Sequence, residues 1–516
     1  MKIASTYGEE YLEYVLQYLP KIDLEYLALL EEIVETTNWE NPQTSSDWNN
    51  LAVINLIKAD KTQDLLLREQ LVNEALQYLQ RGFIIDQNWY CIAHCIIIHG
   101  LIGNGEIANS FAMSILVDPY SVKNQNAHHG LIFLPRKFIT EYEAKELFNV
   151  ISKYNTIQKM IGIALRESQQ VFYNDFSFRF LKLSQLLWAD NPKTLLKLGI
   201  HSLMIKGSEG LVYLLKAWQL SPNTSRIIHA LYLGYCEHIK NMTHHKDYFL
   251  NIAKQQTSQD YQWSHLVKDN VITYITYDED IQLAVEPDFN SLVTSVLLAE
   301  SDWFEYEIEF WRDSIEEGMV VIDIGANVGV YTFSAARRVG ANGKVIAVEP
   351  LPKCIDLLKE TCHLNNFSNV LICESAVSNQ VGKVKFSTDK KNETNQVLLE
   401  EKTPDQVNTI TVDALTLDTI PTMYNLEKID FIKIDAEGHE MQVFHGATEV
   451  LKVFKPKIMY ENVDGVHRSN LPVANYLRDM EYDLFYYQPY LKKLIAINSN
   501  SDLENRLNII ALPRNV

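Results

Sequence analysis

From about residue 5 to 255, apolar residues recur three and four positions apart. They do so in stretches such as YLEYVLQYL (11–19), LLLREQLVNEALQYLQ (65–80) and LVYLLKAWQL (211–220). That period predicts helices that each bury one face. Polar and proline-containing breaks at NPQTSSD (41–47), DPYS (118–121), DNPK (190–193) and SPNTS (221–225) cut the region into helices of ordinary length. The pattern predicts an all-α half built from paired antiparallel helices.

After about residue 265 the period changes. NVITYITY (270–277) and IQLAVEP (281–287) read as short strands, and residues 291–315 as a helical lead-in to MVVIDIGANVG (319–329). Strand-like and helical runs then alternate: KVIAVE (344–349), IDLLKETCHLNN (355–366), NVLICESA (369–376), DFIKIDAEG (430–438), HEMQVFHGATEVLKVF (439–454) and KIMYEN (457–462). LFYYQ (484–488) and LNIIALP (507–513) read as last strands, and 383–415 as a hairpin and loop over the strand ends. This alternation predicts an α/β domain with a mostly parallel sheet covered on both faces. The expected domains are 1–261, helical, and 262–516, α/β.

Two segments of the first half share a helix, a polar-proline break and a second helix, one around Pro119 and one around Pro222. Their separation is close to three periods of about 34 residues, so the region resembles degenerate tetratricopeptide repeats. An irregular helical bundle is the alternative.

The chain has 516 residues, 47% hydrophobic and 22% charged, a composition that supports packed cores in at least two domains. Its formal charge of -20 argues against nucleic-acid binding, which draws on neutralised phosphates. Six cysteines are too sparse for a disulfide framework, which points to a reducing compartment. The acidic start MKIASTYGEEYLEYV lacks an export signal. The apolar run at 90–103 falls short of the roughly 20 residues that span a bilayer. A cytoplasmic protein without a membrane span is the expectation.

Asp323-Ile324-Gly325-Ala326-Asn327-Val328-Gly329 follows a buried-type strand and opens a helix, where a glycine-rich turn lets an adenine cofactor approach the backbone. Glu349 ends the next strand, where its carboxylate can accept both hydroxyls of a ribose. Asn327 stands where a dinucleotide loop has its middle glycine, and Asp323 favours a cationic sulfonium over a diphosphate. S-adenosylmethionine is therefore preferred to NAD.

Lys433, Asp435 and Glu437 alternate with Ile434 and Ala436 at the end of another strand, so all three can share one side. Gly438 permits a sharp exit, and His439 and Glu440 start a helix. At the carboxyl edge of a parallel sheet this cluster faces the same crevice as Asp323 and Glu349. His439 is a reasonable proton acceptor, Asp435 and Glu437 are alternatives, and Lys433 pairs with a carboxylate or polarises the substrate oxygen. Asp435, Glu437, His439 and Glu461 also form a candidate ligand set for Mg or Ca. A structural charge network remains the third reading.

VVIDIGANVGVYTFSAARRVGANGKVIAVEP (320–350), Asn365-Asn366, SAVSNQVG (375–382), TVDALTLD (411–418), DFIKIDAEGHEMQVFHGA (430–447) and PKIMYEN (456–462) together resemble the FkbM-type S-adenosylmethionine-dependent methyltransferases. The resemblance covers about 265–516. It implies a Rossmann-like class I methyltransferase fold and methyl transfer, usually to a hydroxyl oxygen of a sugar, natural product or other metabolite. By the same resemblance Asp323, Gly325, Asn327 and Gly329 line the cofactor, with Thr332 approaching from the helix start. Glu349 holds the ribose, Glu374, Ser375 and Ala376 reach the adenine, and Asp435 adjoins the cofactor.

An O-methyltransferase acting on a small-molecule or glycan acceptor is the leading reading. The helical half would recruit substrate or a protein partner, and self-association is compatible with this arrangement. Nitrogen- or carboxylate-directed methyl transfer, and a helical scaffold carrying an inactive domain, are the alternatives. Cys91, Cys95 and His99 fall at i, i+4 and i+8, which spreads them over about 12 Å of helix, too far for one tetrahedral ion. With His94 they read as packed helix interior, and His128-His129 and His244-His245 as loop or surface residues. Trp303, Phe304 and Tyr306 either cover the cofactor or line the acceptor pocket, or belong to an amphipathic helix that packs on the sheet. Tyr274 and Tyr277 are three apart, so at most one can join a pocket wall.

Overall fold

Helix starts in the first half are set by side-chain caps. Asp23, Thr44, Asp64, Asn88, Asn174 and Asn191 each stand before an apolar-periodic run and accept backbone N–H groups of its first turn. The computed structural model describes residues 6–19, 21–117, 130–148, 153–238, 243–256, 262–267, 271–387, 397–398, 409–462 and 470–514. The chain divides into two compact units, Met1–Ile227 and Ile228–Val516.

The first unit is helical throughout its described secondary structure. Its most extensive pairings join helix Ser45–Lys61 to Leu65–Asp86, and Pro192–Met204 to Gly210–Leu220. The second pair approaches closely because Gly199 faces Gly210: a Cβ on Gly210 would lie 2.6 Å from the Gly199 carbonyl oxygen. Pro119, His128 and His129, and the repeat reading built on Pro119, lie outside the described residues. Pro222 sits in the turn between helices Gly210–Leu220 and Ser225–His238. No helix among the described residues is long and apolar enough to cross a membrane.

Buried in this unit runs a non-helical segment, Leu131–Leu134, whose backbone is satisfied by side chains. Leu131 N–H donates to Asn50 Oδ1 at 2.8 Å, and Asn49 Nδ2 donates to Leu131 O at 3.0 Å. Ile132 N–H donates to the Tyr11 hydroxyl at 3.0 Å and Leu134 N–H to that of Tyr14 at 2.9 Å. Phe133 N–H donates to His94 Nε2 at 2.9 Å, so His94 carries its proton on Nδ1, 2.9 Å from Asn49 Oδ1. Cys91, His94, Cys95 and His99 are all buried in helix Trp89–Leu101.

The contact division falls before the change of composition at 261/262. The helices preceding the first strand pack with it: His229 stacks on Trp263 with ring centroids 4.1 Å apart, and His229 Nε2 lies 2.7 Å from the Thr273 hydroxyl.

In the second unit β1 (Thr273–Tyr277) and β2 (Ile281–Val285) form an antiparallel hairpin. The expected single lead-in helix is two, Leu292–Glu300 and Glu307–Ser314, broken where Ser301 turns left-handed at φ 71°. The main sheet contains β3 (Val320–Ile324), β4 (Lys344–Val348), β5 (Val370–Cys373), β10 (Phe431–Ile434), β11 (Lys457–Glu461), β12 (Tyr482–Gln488), β13 (Lys493–Ala496) and β14 (Asn508–Pro513). Their spatial order is β13-β12-β14-β11-β10-β3-β4-β5. Strands β5, β4, β3, β10 and β11 are parallel, and β14 joins β11 antiparallel. The chain winds outward from β3 to β5 and returns to β10, so the topological switch lies between β3 and β10. A second sheet, in the order β6-β9-β7-β8, takes in β6 (Ala376–Val377), β7 (Gly382–Ser387), β8 (Val397–Leu398) and β9 (Thr409–Leu415). The core under the main sheet is built from Ile322, Ile324, Ile346, Val348, Ile432, Ile434, Phe444 and Ile458, all nearly inaccessible.

Candidate active site

At the switch point two exits touch. Asp323 in β3 and Lys433 in β10 are register partners. Beyond them Gly325, at φ +77°, lies against the backbone of Asp435. The loop after β3 is tied across β4 by Gly325 N–H and Ala326 N–H, both donating to Val348 O, at 3.0 and 3.1 Å. Asn327 adopts φ 49° and donates its N–H to Glu349 Oε2 at 2.9 Å. Gly329, at φ 98°, caps helix Val330–Val339, and a Cβ there would overlap the Phe333 ring at 2.3 Å.

Burial shapes the acids of this crevice. Asp323 is buried and accepts a 2.6 Å bond from the Thr332 hydroxyl. Loss of water raises its pKa, partly offset by Lys433. Thr332 is itself buried, so it supports Asp323 from the helix start. Glu349 is pushed up to about 7 by burial, and its second oxygen accepts Leu351 N–H at 2.9 Å. Each carboxylate oxygen still has acceptor capacity for a hydroxyl.

Lys433 is buried beneath this group, its Nζ 2.7 Å from Asp435 Oδ2 and 4.5 Å from the centroid of the Tyr331 ring. Burial works against its charge, but the carboxylates of Asp435, Glu305 and Asp323 outweigh that and raise its pKa. The Tyr331 hydroxyl donates to Glu305 Oε2 at 2.6 Å, and Asn508 Nδ2 donates to the same oxygen at 2.8 Å.

Glu437 departs from the expected strand alternation. β10 ends at Ile434 and Glu437 turns left-handed at φ 50°. Its carboxylate nevertheless meets Asp435 and Glu461, one oxygen of each lying within 4.8 Å of the others. Burial first, then Asp435 and Glu437, raise the Glu461 carboxyl well above its ordinary value. His439 is not in this group of carboxylates: it is buried, with Nε2 3.0 Å from the Ser378 hydroxyl, and burial lowers its pKa to about 4. Glu440 closes the turn, its Oε1 accepting Ala436 N–H at 3.0 Å and Gly438 N–H at 3.1 Å.

The expected adenine contacts lie at the end of β5. Glu374 is exposed and pairs with Lys359 at 2.6 Å. The Ser375 hydroxyl donates to Asp413 O at 2.8 Å, and Ala376 opens β6. The Tyr274 hydroxyl donates to Glu360, in the helix Pro352–Asn365 after β4, at 2.9 Å, and the Tyr277 hydroxyl accepts a 2.9 Å bond from Arg312 of the lead-in. Sequence reasoning missed Tyr331, Glu305, Ser378 and Asn508. Glu305 stands among the aromatics Trp303, Phe304 and Tyr306, which is the one signal that points to it.

Residues 323–484 match the family described as the Methyltransferase FkbM domain. Methyltransferase sdnD of Sordaria araneosa is 27% identical over 157 residues, which cover 25% of this chain and 60% of that protein. Hexuronic acid methyltransferase AglP of Haloferax volcanii is 26% identical over 147 residues, covering 28% of this chain and 56% of that protein. The chain thus spans less than two thirds of the length of these relatives. Among solved structures, a methyltransferase FkbM from Methylobacillus flagellatus KT superposes with a TM-score of 0.26 at 14% identity, over 43% of this chain and 53% of the other. The C-terminal region of this chain, across residues 323–484, is a methyltransferase FkbM domain.

Proposed function

We propose that the second unit binds S-adenosylmethionine in the crevice between β3 and β10 and transfers its methyl group to a hydroxyl oxygen of a small molecule, natural product or sugar. The observation that carries this reading is the set of carboxylates Asp323, Glu349 and Asp435, brought to the ends of β3, β4 and β10 at the switch point. Such a donor set suits a cationic ligand. Gly325, Asn327 and Gly329 shape the loop, Glu349 offers acceptors to a ribose, and Glu374, Ser375 and Ala376 border the adenine end. The bound cofactor supplies an electrophilic methyl on a sulfonium.

The acceptor end is the group Asp435, Glu437 and Glu461. A hydroxyl or an amine can approach this group, whereas a carboxylate acceptor meets repulsion from Asp435 and Glu437. Attack on the methyl requires the hydroxyl proton to leave. Asp435 and Glu437 are within the crevice to receive it. His439 is neutral near pH 7 and can do so at Nδ1 if its Nε2–H donates to the Ser378 hydroxyl. The likeness to a hexuronic acid methyltransferase supports a sugar acceptor, and a hexuronic acid offers both hydroxyls and a carboxylate, so it does not choose between the two. A second reading is favoured by the convergence of Asp435, Glu437 and Glu461: these oxygens could hold a divalent cation such as Mg or Ca that lowers the pKa of the acceptor hydroxyl. The helical unit would recruit the acceptor or a protein partner.

Titration of the full-length chain with S-adenosylmethionine in a calorimeter tests the cofactor. Absence of binding heat from the folded protein overturns the reading. Incubation with methyl-labelled cofactor and a metabolite extract then identifies the acceptor, and label on a nitrogen or a carboxylate replaces the hydroxyl reading.

A further inference from the structure

The buried lysine of the crevice is held from below by an aromatic face. Lys433 Nζ is 4.5 Å from the Tyr331 ring centroid and 2.7 Å from Asp435 Oδ2. The ring is itself locked in place. Its hydroxyl donates to buried Glu305 at 2.6 Å, its backbone carbonyl accepts from Trp311 Nε1 at 3.2 Å, and Trp311 meets it edge-on at 5.5 Å between centroids. Asn508 Nδ2, 2.8 Å from the same Glu305 oxygen, fixes that carboxylate in turn. A desolvated ammonium over an aromatic face is attracted by the ring quadrupole, and the attraction strengthens as water is excluded. The chain of contacts therefore runs Asn508, Glu305, Tyr331, Lys433, Asp435. It links the last strand, the lead-in, the helix after β3 and β10.

We propose that Tyr331 is a positioning residue for the cofactor site: its ring face fixes the Lys433 ammonium, which in turn aims the Asp435 carboxylate at the crevice. This rests on the reading of the crevice as the S-adenosylmethionine site. Lys433 cannot serve as a free cation for the acceptor while it is shared between the ring and Asp435. Its role is to set where the one carboxylate it touches points. Tyr331 acts without touching the cofactor, through the electron density of its ring.

The test is a series at position 331 in the full-length chain: Tyr331→Phe, then phenylalanines carrying one, two and three ring fluorines, which withdraw charge from the ring face with little change of shape. Affinity for S-adenosylmethionine is measured for each by calorimetry, alone and combined with Lys433→Met. The expected result is that Tyr331→Phe stays within about threefold of the wild type. Affinity then falls stepwise with fluorine count, by about tenfold at three fluorines, and the trend vanishes in the Lys433→Met background. An affinity independent of fluorine count, or a trend that persists without Lys433, overturns the proposal. If the wild-type chain binds no S-adenosylmethionine, the cofactor reading fails by itself. The same series is then read on urea unfolding: a fluorine trend that disappears with Lys433→Met supports the ring–ammonium device, and a flat series overturns it.

Discussion

A Cβ placed on Gly325 would lie 1.9 Å from the carbonyl oxygen of Asp435, so the exits of β3 and β10 are in backbone contact at the switch point. Gly325 also occupies φ +77°, a region that costs an L-residue about 1–2 kcal/mol before any overlap is counted. Gly325→Ala must therefore part the two exits. The expected outcome is a loss of at least about 2 kcal/mol in urea unfolding of the second unit, together with a tenfold or larger loss of S-adenosylmethionine affinity. A wild-type unfolding midpoint would show that the contact yields easily.

Glu349 gives the cofactor site a pH dependence. Burial raises its carboxyl to about 7, while its two oxygens hold Asn327 N–H and Leu351 N–H. As pH falls through 7 the group gains a proton and loses the charge and acceptor capacity that a cationic nucleoside needs. Affinity for S-adenosylmethionine is expected to fall from pH 8 to 6, and Glu349→Gln to bind weakly with a flatter profile. For folding the sign is opposite. The folded chain keeps a proton that the unfolded chain has lost, so this group's contribution to stability declines as pH rises from the ordinary carboxylate range to 7. Calorimetry and urea midpoints across that range check both signs.

The three-carboxylate group predicts a stabilising substitution. The folded-state pKa of Glu461 is raised by burial and by Asp435 and Glu437. Its contribution is therefore favourable at low pH and is lost as pH rises above the ordinary carboxylate value. Glu461→Gln has no proton to lose. The variant is expected to match the wild type near pH 4 and to exceed it in melting temperature at pH 8 by at least about 2 °C. On the divalent-cation reading, Mg or Ca raises the wild-type midpoint at pH 8 and leaves Glu461→Gln unmoved. A variant less stable than the wild type at pH 8 would mean that the carboxyl makes a favourable contact that the repulsion does not offset.

What the sequence made legible here was what strand period and glycine position encode. Asp323, Gly325 and Glu349 could be placed because β3 and β4 read as buried runs ending in a turn or an acid, and the parallel sheet follows from their alternation with helices. Glu437 shows where that logic stopped. Strand alternation would have put it beside Asp435, whereas β10 ends one residue before Asp435 and a left-handed turn brings Glu437 round. The Tyr331–Glu305 pair, 26 residues apart, and Asn508, 203 residues from Glu305, are invisible in the sequence because they meet only in three dimensions. Edge strand β13 had no strong alternating pattern. The buried course of Leu131–Leu134 was hidden for the same reason as Tyr331: its hydrogen-bond partners are side chains of Tyr11, Tyr14, Asn49, Asn50 and His94, far away in the chain.

His94 is the point at which that course can be tested. It is fully buried, accepts Phe133 N–H at Nε2 and faces Asn49 Oδ1 through Nδ1. Burial lowers its pKa to about 3, so the unfolded chain binds a proton between its ordinary value near 6.5 and 3 that the folded chain refuses. The sign follows: its contribution is fully present above 6.5 and is lost as pH falls toward 3. His94→Ala leaves the Phe133 N–H and Asn49 without this partner and opens a cavity, which together cost about 2–4 kcal/mol. Hydrogen exchange at Phe133 is expected to accelerate steeply in the variant at pH 7. The remaining rise in exchange on acidification, after correction for intrinsic rates, should be smaller than in the wild type. A chelator should alter neither profile, since His94 acts as an acceptor for Phe133 N–H and not as a metal ligand. Exchange at Phe133 unchanged by His94→Ala would mean that the segment is held by Asn50, Tyr11 and Tyr14 alone.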